Sequence, residues 1–337
     1  MGQAAPVPIT VEPFTWAGDL PGEDLAALTR AYNEVWDEWV PGERPISTAA
    51  FVDLDRFTAA PEQYEQRLAR DDRGQVVGFA KAYWRVGPGG CTFRLFIDPT
   101  RRGEGAARSL WADLTHAARA AGRSGITVEP VAGSRVAALA EAKGFGPDLH
   151  IELNRTEVQA IPGGRLEGWR TAGEAAAGYS LVAYDAPCPP ELAADFVHAR
   201  HVMNDAPRPE GEAEVSYTVE ELQALEAAST AAHLGWWNLG VRHDPSGELV
   251  GISDIYLPSE RPWIAFQGDT GVAPAHRGHG LGAWMKAVNH LRLRDERPAV
   301  EVVQTWNAAS NEPMLRINRA LGFRPVQRFQ AWHLPLT

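Results

Sequence analysis

One glycine-containing segment occurs twice in this chain, in matching surroundings, and that duplication limits the folds open to it. Residues 97–107 read Ile-Asp-Pro-Thr-Arg-Arg-Gly-Glu-Gly-Ala-Ala, and residues 272–282 read Val-Ala-Pro-Ala-His-Arg-Gly-His-Gly-Leu-Gly. The register holds upstream, where Val77-Gly78 and Tyr83 line up with Val250-Gly251 and Tyr256. It holds downstream, where Gly144-Phe145 lines up with Gly322-Phe323. Three landmarks at nearly one offset read as two copies of one domain. The length of 337 residues suits two domains of ~150 residues, each able to bury a full core. The expected boundaries are 1–160 for the first copy and 178–337 for the second. Residues 161–177, with Pro162-Gly163-Gly164 and an Ala/Gly-rich run, are expected to be a linker.

Hydrophobic periodicity makes each half mixed α/β. In the first half, strands are expected at 9–16, 75–84, 91–97, 126–131 and 149–158, with helices at 23–39, 103–121 and 134–143. In the second, strands fall at 179–185, 236–243, 248–257, 263–272, 299–305 and 325–334. Helices fall at 190–203, 218–231, 279–293 and 311–320. A long helix follows each glycine loop directly.

The formal charge of −11 argues against a nucleic-acid partner, whose phosphates attract Lys and Arg. It suits a cationic or amine substrate. Cys91 and Cys188 lie far apart without metal spacing and read as reduced thiols. The start of the chain lacks the basic region and apolar core of a signal peptide, and no run of about 18 apolar residues exists. A cytoplasmic protein without membrane spans is the expectation.

A strand that runs through Arg-Gly-x-Gly into a helix is an anion site. Glycines let backbone N–H groups converge, and the free N–H groups and dipole of the helix start favour a pyrophosphate. Neither copy ends in the Gly-Lys-Ser/Thr of a P-loop. The spacing Gly278-x-Gly280-x-Gly282, in the middle of a domain, differs from the dinucleotide fingerprint. The Lys strand and catalytic loop of a kinase are missing.

The segment from Val272 to Gly282 resembles the acyl-CoA pyrophosphate loop of the GNAT (GCN5-related N-acetyltransferase) superfamily. The run Asn311-x-x-Met314-x-x-x-Asn318-x-x-x-Gly322-Phe323 is similar to that family's second motif, usually Asn-x-x-Ala-x-x-x-Tyr-x-x-x-Gly-Phe. The two motifs cover about 50 residues of each half. The resemblance implies two tandem GNAT-like domains, each a mixed central sheet flanked by helices. It implies acetyl-CoA as cosubstrate, held by Val272, Arg277, Gly278, His279, Gly280, Leu281, Gly282 and Asn311. It implies transfer of acetyl to a primary amine of a small molecule, an amine-bearing antibiotic or metabolite among them. The strand ending at Val272 would splay from its neighbour and pair with the pantetheine arm.

The copies differ where chemistry is expected. The first loop carries Glu104, a carboxylate repelled by a pyrophosphate unless it points away. By register its second motif has Gly133 and Ala140 in place of the usual Asn and Tyr, so the second half reads as the catalytic copy. There Asn318 takes the place of the Tyr that family members use to protonate the departing thiolate, and an amide cannot. Phe266 and Gly268 on the central strand are not bases, and Asp269 has the opposite strand parity. Asp254 and Tyr256 on the preceding strand are therefore the catalytic candidates. Asp254 stands where the first copy has Lys81, while a core phenol is the ordinary alternative for Tyr256. Glu212 and Glu214 are placed in a loop that could line an acceptor pocket. His276 and His279 have no third ligand at metal spacing and read as phosphate or solvent contacts, and His198 and His201, three apart on an expected helix, read as a solvated face, so no metal is expected. The rival reading is a non-catalytic CoA-binding or ligand-sensing protein. A monomer or a homodimer is expected.

Overall fold

The computed structural model describes residues 8–57, 62–85, 87, 89–141, 146–207, 214 and 216–336. Gly144, Phe145 and Glu212 lie outside these. The chain forms two compact units.

The first unit runs through β1 (Thr10–Phe14), α1 (Gly22–Trp39), α2 (Thr48–Phe57), β2 (Glu62–Arg70), β3 (Val76–Arg85), β4 (Cys91–Ile97), α3 (Ala106–Ala120), β5 (Gly125–Val128) and α4 (Arg135–Glu141). Neighbours pair antiparallel from β1 to β4, and β4 pairs parallel with β5. A parallel pair needs a crossover, and α3 supplies it. Leu110, Leu114 and Ala118 of α3 pack on Ala80, Phe93 and Ile126 of the sheet. On the other face α1 and α2 bury Leu28, Val35 and Phe51 against Leu68, Phe79 and Phe96. Both α2 and β2 were absent from the expected elements. The β2 sequence is charged, but its charges are matched: Arg67 pairs with Glu65 and Asp113, and Arg70 with Glu12 and Asp24.

The second unit contains β6 (Leu149–Glu157), α5 (Gly163–Glu174), β7 (Tyr179–Asp185), α6 (Pro190–Arg200), α7 (Val219–Ala231), β8 (Leu234–His243), β9 (Leu249–Pro258), β10 (Ile264–Val272), α8 (Leu281–Glu296), β11 (Val302–Ala308), α9 (Glu312–Ala320) and the start of β12 (Arg324–Pro335). Strands β7 to β10 pair antiparallel in sequence, and β10 pairs parallel with β11 across α8. The order repeats that of the first unit. A capping box between Thr218 and Glu221 starts α7.

The unit boundaries depart from the expected 1–160 and 178–337. Strand β6, the last of the first sequence copy, belongs to the second unit and pairs antiparallel with β11 along seven positions, from Val302↔Glu157 to Ala308↔Ile151. The last eight residues, Gln330–Thr337, belong to the first unit, where Trp332 pairs with Val128 and Pro335 with Gly125. Each unit's sheet is thus completed by a strand from the other half of the sequence.

The expected linker at 161–177 is instead mostly helix α5. Four glycines make it a poor helix by propensity, so packing must hold it. Leu166 is fully buried with Leu293 and Val300, and a Cβ at Gly173 would collide with the Trp284 ring of α8. Helix α5 thus covers the Trp284 side of α8, while on its other sides Lys286 meets Asn318, Asn289 reaches the Ser253 carbonyl and His290 packs on Phe323.

Candidate functional site

In the second unit, β10 and β11 pair only at Ile264↔Val302, Ala265↔Val303 and Phe266↔Gln304. Beyond that they separate. The carbonyl of Gln267 accepts from the Thr305 hydroxyl at 3.1 Å, and from Gly268 to Val272 the strand leaves its β11 side without a ladder partner. A bulge between Gln267 and Thr270, against β9, marks the divergence. The gap holds a cavity of about 150 Å³, with Asp269, Thr270, Lys286, Thr305, Asn307 and Asn311 among its lining residues.

The glycine loop stands where the sequence placed it. Gly278 and Gly280 have φ of 86° and 74°, conformations that other residues adopt only with strain. Gly280 is the N-cap of α8, so the free N–H groups of that helix face the loop. Leu281 directs its side chain into the core with Val250 and Met285, and so offers a ligand only its backbone. A Cβ at Gly282 would meet Ile317, Thr270 and Val272 at 3.6–4.0 Å, ordinary packing distance. Arg277 is exposed, donates from Nε to the Val272 carbonyl at 2.8 Å and pairs with Asp205 at 2.7 Å. His276 shares a hydrogen bond with the Tyr179 hydroxyl at 3.0 Å, and the His279 ring lies beside Tyr179. Among the described residues no group of three or more His, Cys, Asp or Glu is placed to hold a metal, and no helix is long and apolar enough to cross a membrane. Asn311 caps α9, its Oδ1 accepting from the Met314 N–H, and lines the cavity.

Asp254 and Tyr256 flank Gly268, where a Cβ would collide with Asp254 Oδ1 and approach the Tyr256 ring. Neither lines the cavity. Tyr256 stacks on Trp236 at 5.1 Å between ring centroids, and burial raises its phenol well above the usual value. Asp254 is 1 % exposed and ion-paired to Arg200 of α6 at 3.1 Å. Burial lifts its carboxyl above the usual range, and the Arg200 guanidinium opposes that shift. Arg200 also reaches Asp269 at 3.4 Å and Asn238 at 2.7 Å. Strand parity alone put Asp269 on the far side of β10. The bulge turns it to the α6 face instead, where it meets both Arg200 and the cavity.

Sequence reasoning missed Lys286. It is 1 % exposed, lines the cavity and donates to Asn318 Oδ1 at 2.9 Å. The signal lay in the helical spacing, which puts a Lys one turn after Gly282, on the core side of a helix.

The first unit keeps the frame with different contents. There β4 and β5 pair only from Cys91 to Phe93, and Gly103 and Gly105 have φ of 94° and 104°. Arg94 and Glu129, directly past the last pair, form an ion pair at 3.0 Å. Glu104 turns back to Arg101 at 2.8 Å, and Arg101 also holds Asp71 at 2.8 Å.

A parallel pair that splays beside a glycine loop and its crossover helix, present twice, defines the class, and comparison with known proteins names it. Residues 28–146 match the model of the acetyltransferase (GNAT) family. The match falls on the first copy, whose loop carries Glu104. Over its whole length the chain is similar to a tandem GNAT protein from the clavulanic acid biosynthesis pathway, with 25 % identity, a TM-score of 0.76 and coverage of 97 % of this chain and 98 % of that one. It shares its fold with a GCN5-related N-acetyltransferase from Sphaerobacter thermophilus, at 17 % identity, TM-score 0.61 and coverage of 97 % and 95 %. It also shares its fold with a GCN5-related glucosamine N-acetyltransferase region of a fungal multi-domain β-N-acetylglucosaminidase, at 14 % identity and TM-score 0.65. There 98 % of this chain covers 38 % of the longer one. No curated protein matches the chain. The family model thus covers the first copy, and the fold of the whole chain is that of a tandem GNAT protein; members of that family are acetyltransferases that normally use acetyl-CoA.

Proposed function

We propose that this protein transfers acetyl from acetyl-CoA to a primary amine of a small molecule, and that the second unit carries the reaction. The observation that carries this reading is the open β10–β11 gap, which joins the α8 glycine loop to a polar cavity. In this reading the loop from Arg277 to Gly282 receives the pyrophosphate on backbone N–H groups, with Arg277 exchanging Asp205 for a phosphate. Asn311 lines the same cavity. The unladdered backbone from Gly268 to Val272 holds the pantetheine arm and offers N–H donors to the developing oxyanion.

The amine attacks as the neutral base, and its nitrogen sheds a proton as the amide forms. Asp269, the carboxylate that opens on the cavity, accepts it. Arg200 and Asp254 fix the position of Asp269 from behind, and Tyr256 holds the wall beside Gly268. This assigns Asp254 and Tyr256 to positioning rather than to contact with the substrate. Arg94–Glu129 and Arg101–Glu104 favour a first unit that binds the cofactor weakly. A thiol-release assay with acetyl-CoA and a panel of polyamines, aromatic amines and amino sugars tests the function. Binding of acetyl-CoA without thiol release for any amine would favour a CoA-binding or ligand-sensing protein.

A further inference from the structure

Lys286 is a buried cationic group in the cavity to which the reading above gives no role. It stands on α8, and no carboxylate lies within ion-pair distance of its Nζ among the described residues. Its hydrogen bond runs to Asn318 Oδ1 at 2.9 Å, and Asn318 donates in turn from Nδ2 to Asn307 Oδ1 at 2.8 Å. An ammonium only donates, so this chain fixes the Asn318 amide with its oxygen toward Lys286. One of the three Nζ–H donors is thereby used. Asp254 of β9 favours its charged form, and Lys286 in turn adds to the burial that lowers His290 of α8. Lys286 and Thr305 line one cavity with Asp269.

Thioester aminolysis produces a thiolate that must be protonated. Asn318 has no proton to give at useful pH, and Asp269 is occupied with the amine. We propose that Lys286 is the acid that protonates the departing CoA thiolate, an inference that rests on the acyl-transfer reading. The amine nitrogen bonds to the carbonyl carbon, and the carbon–sulfur bond breaks with its electron pair on sulfur. One Nζ–H proton moves to that sulfur, leaving Lys286 a neutral amine, while Asp269 holds the proton from the nitrogen. Exchange with solvent restores both. Burial brings the Lys286 ammonium down to about 7, which makes it a readier proton donor than a lysine in water.

Lys286→Met keeps the length of the side chain and removes the proton. Lys286→Arg keeps a cation that does not release one. Calorimetry with acetyl-CoA and thiol release with the amine panel are measured for both variants and for the wild type. Both variants should bind acetyl-CoA as the wild type does and turn over ~10²-fold more slowly. The wild-type rate should fall as pH rises past neutrality, and the residual rate of the variants should lose that limb. A wild-type protein that releases thiol, with either variant matching its rate and pH profile, overturns the proposal and leaves acyl transfer standing. An acetyl group found on Lys286 by peptide mass spectrometry also overturns it, because the lysine would then be an acceptor. A wild type that releases no thiol with any amine overturns the acyl-transfer reading and this inference with it.

Discussion

The Arg200 guanidinium lies 3.1 Å from the Asp254 carboxylate, and both side chains are almost wholly out of water. The first unit holds the counterpart with its polarity reversed: Lys81 of β3, in register with Asp254, pairs at 3.3 Å with Asp55 of α2. A buried pair that survives reversal of its charges is a device of the fold. Arg200→Met should therefore cost about 3–5 kcal/mol, because it leaves a buried carboxylate unpaired. Arg200→Met/Asp254→Leu should recover much of that loss. Urea unfolding at pH 7 measures both, and equal midpoints for the wild type and Arg200→Met would contradict the assignment.

His290 is fully buried against Phe323, and neither ring nitrogen has a hydrogen-bond partner. Burial lowers it from 6.5 to about 3, with the nearby Lys286 and Arg294 adding to the shift. The unfolded chain therefore takes up the proton first, and stability should rise with pH between about 3 and 6.5. Read downward, it is lost as the pH falls through that window. His290→Leu removes this dependence and an unsatisfied polar group, so it should flatten the acid limb and leave stability at pH 7 equal or higher. Unfolding midpoints from pH 4 to pH 7 decide; an unchanged slope would show that His290 is not the group that titrates.

Asp269 and Tyr256 separate contact from support. Asp269→Asn should lower turnover by ~10²-fold with acetyl-CoA binding unchanged. Tyr256→Phe keeps the stack on Trp236 and should have a much smaller effect. The reverse ranking in thiol-release kinetics would return the catalytic role to β9.

Strand exchange predicts that the sequence halves do not fold alone. Residues 178–337 lack β6, which pairs with β11 at seven positions, and α5, which covers α8. That fragment should be aggregated or molten, whereas 147–337 should fold better. Circular dichroism melts compare them. A fragment 178–337 with the full chain's melting temperature would count against this account.

The duplication, the strand–loop–helix frame and the glycine positions were legible because they rest on local rules: positive φ, helix starts and period-two strands. The elements that escaped are held by distant partners. Strand β2 reads as a polar segment until Arg67 and Arg70 find their carboxylates, and α5 is a helix only against Trp284. Asp269 was misplaced for another reason. Parity counting assumes an unbroken ladder, and the bulge at Gln267–Thr270 breaks it. Lys286 was hidden because a Lys after a glycine loop ordinarily reads as a solvated helix face.

The most direct test of the central claim is calorimetric titration of acetyl-CoA into the wild type, Gly280→Glu and Gly105→Glu. Both substitutions put a carboxylate at a positive-φ glycine of a loop, one in each unit. The account predicts one tight site in the wild type, lost in Gly280→Glu and retained in Gly105→Glu. Retention of the tight site in Gly280→Glu with its loss in Gly105→Glu would place the cofactor, and the chemistry, in the other unit.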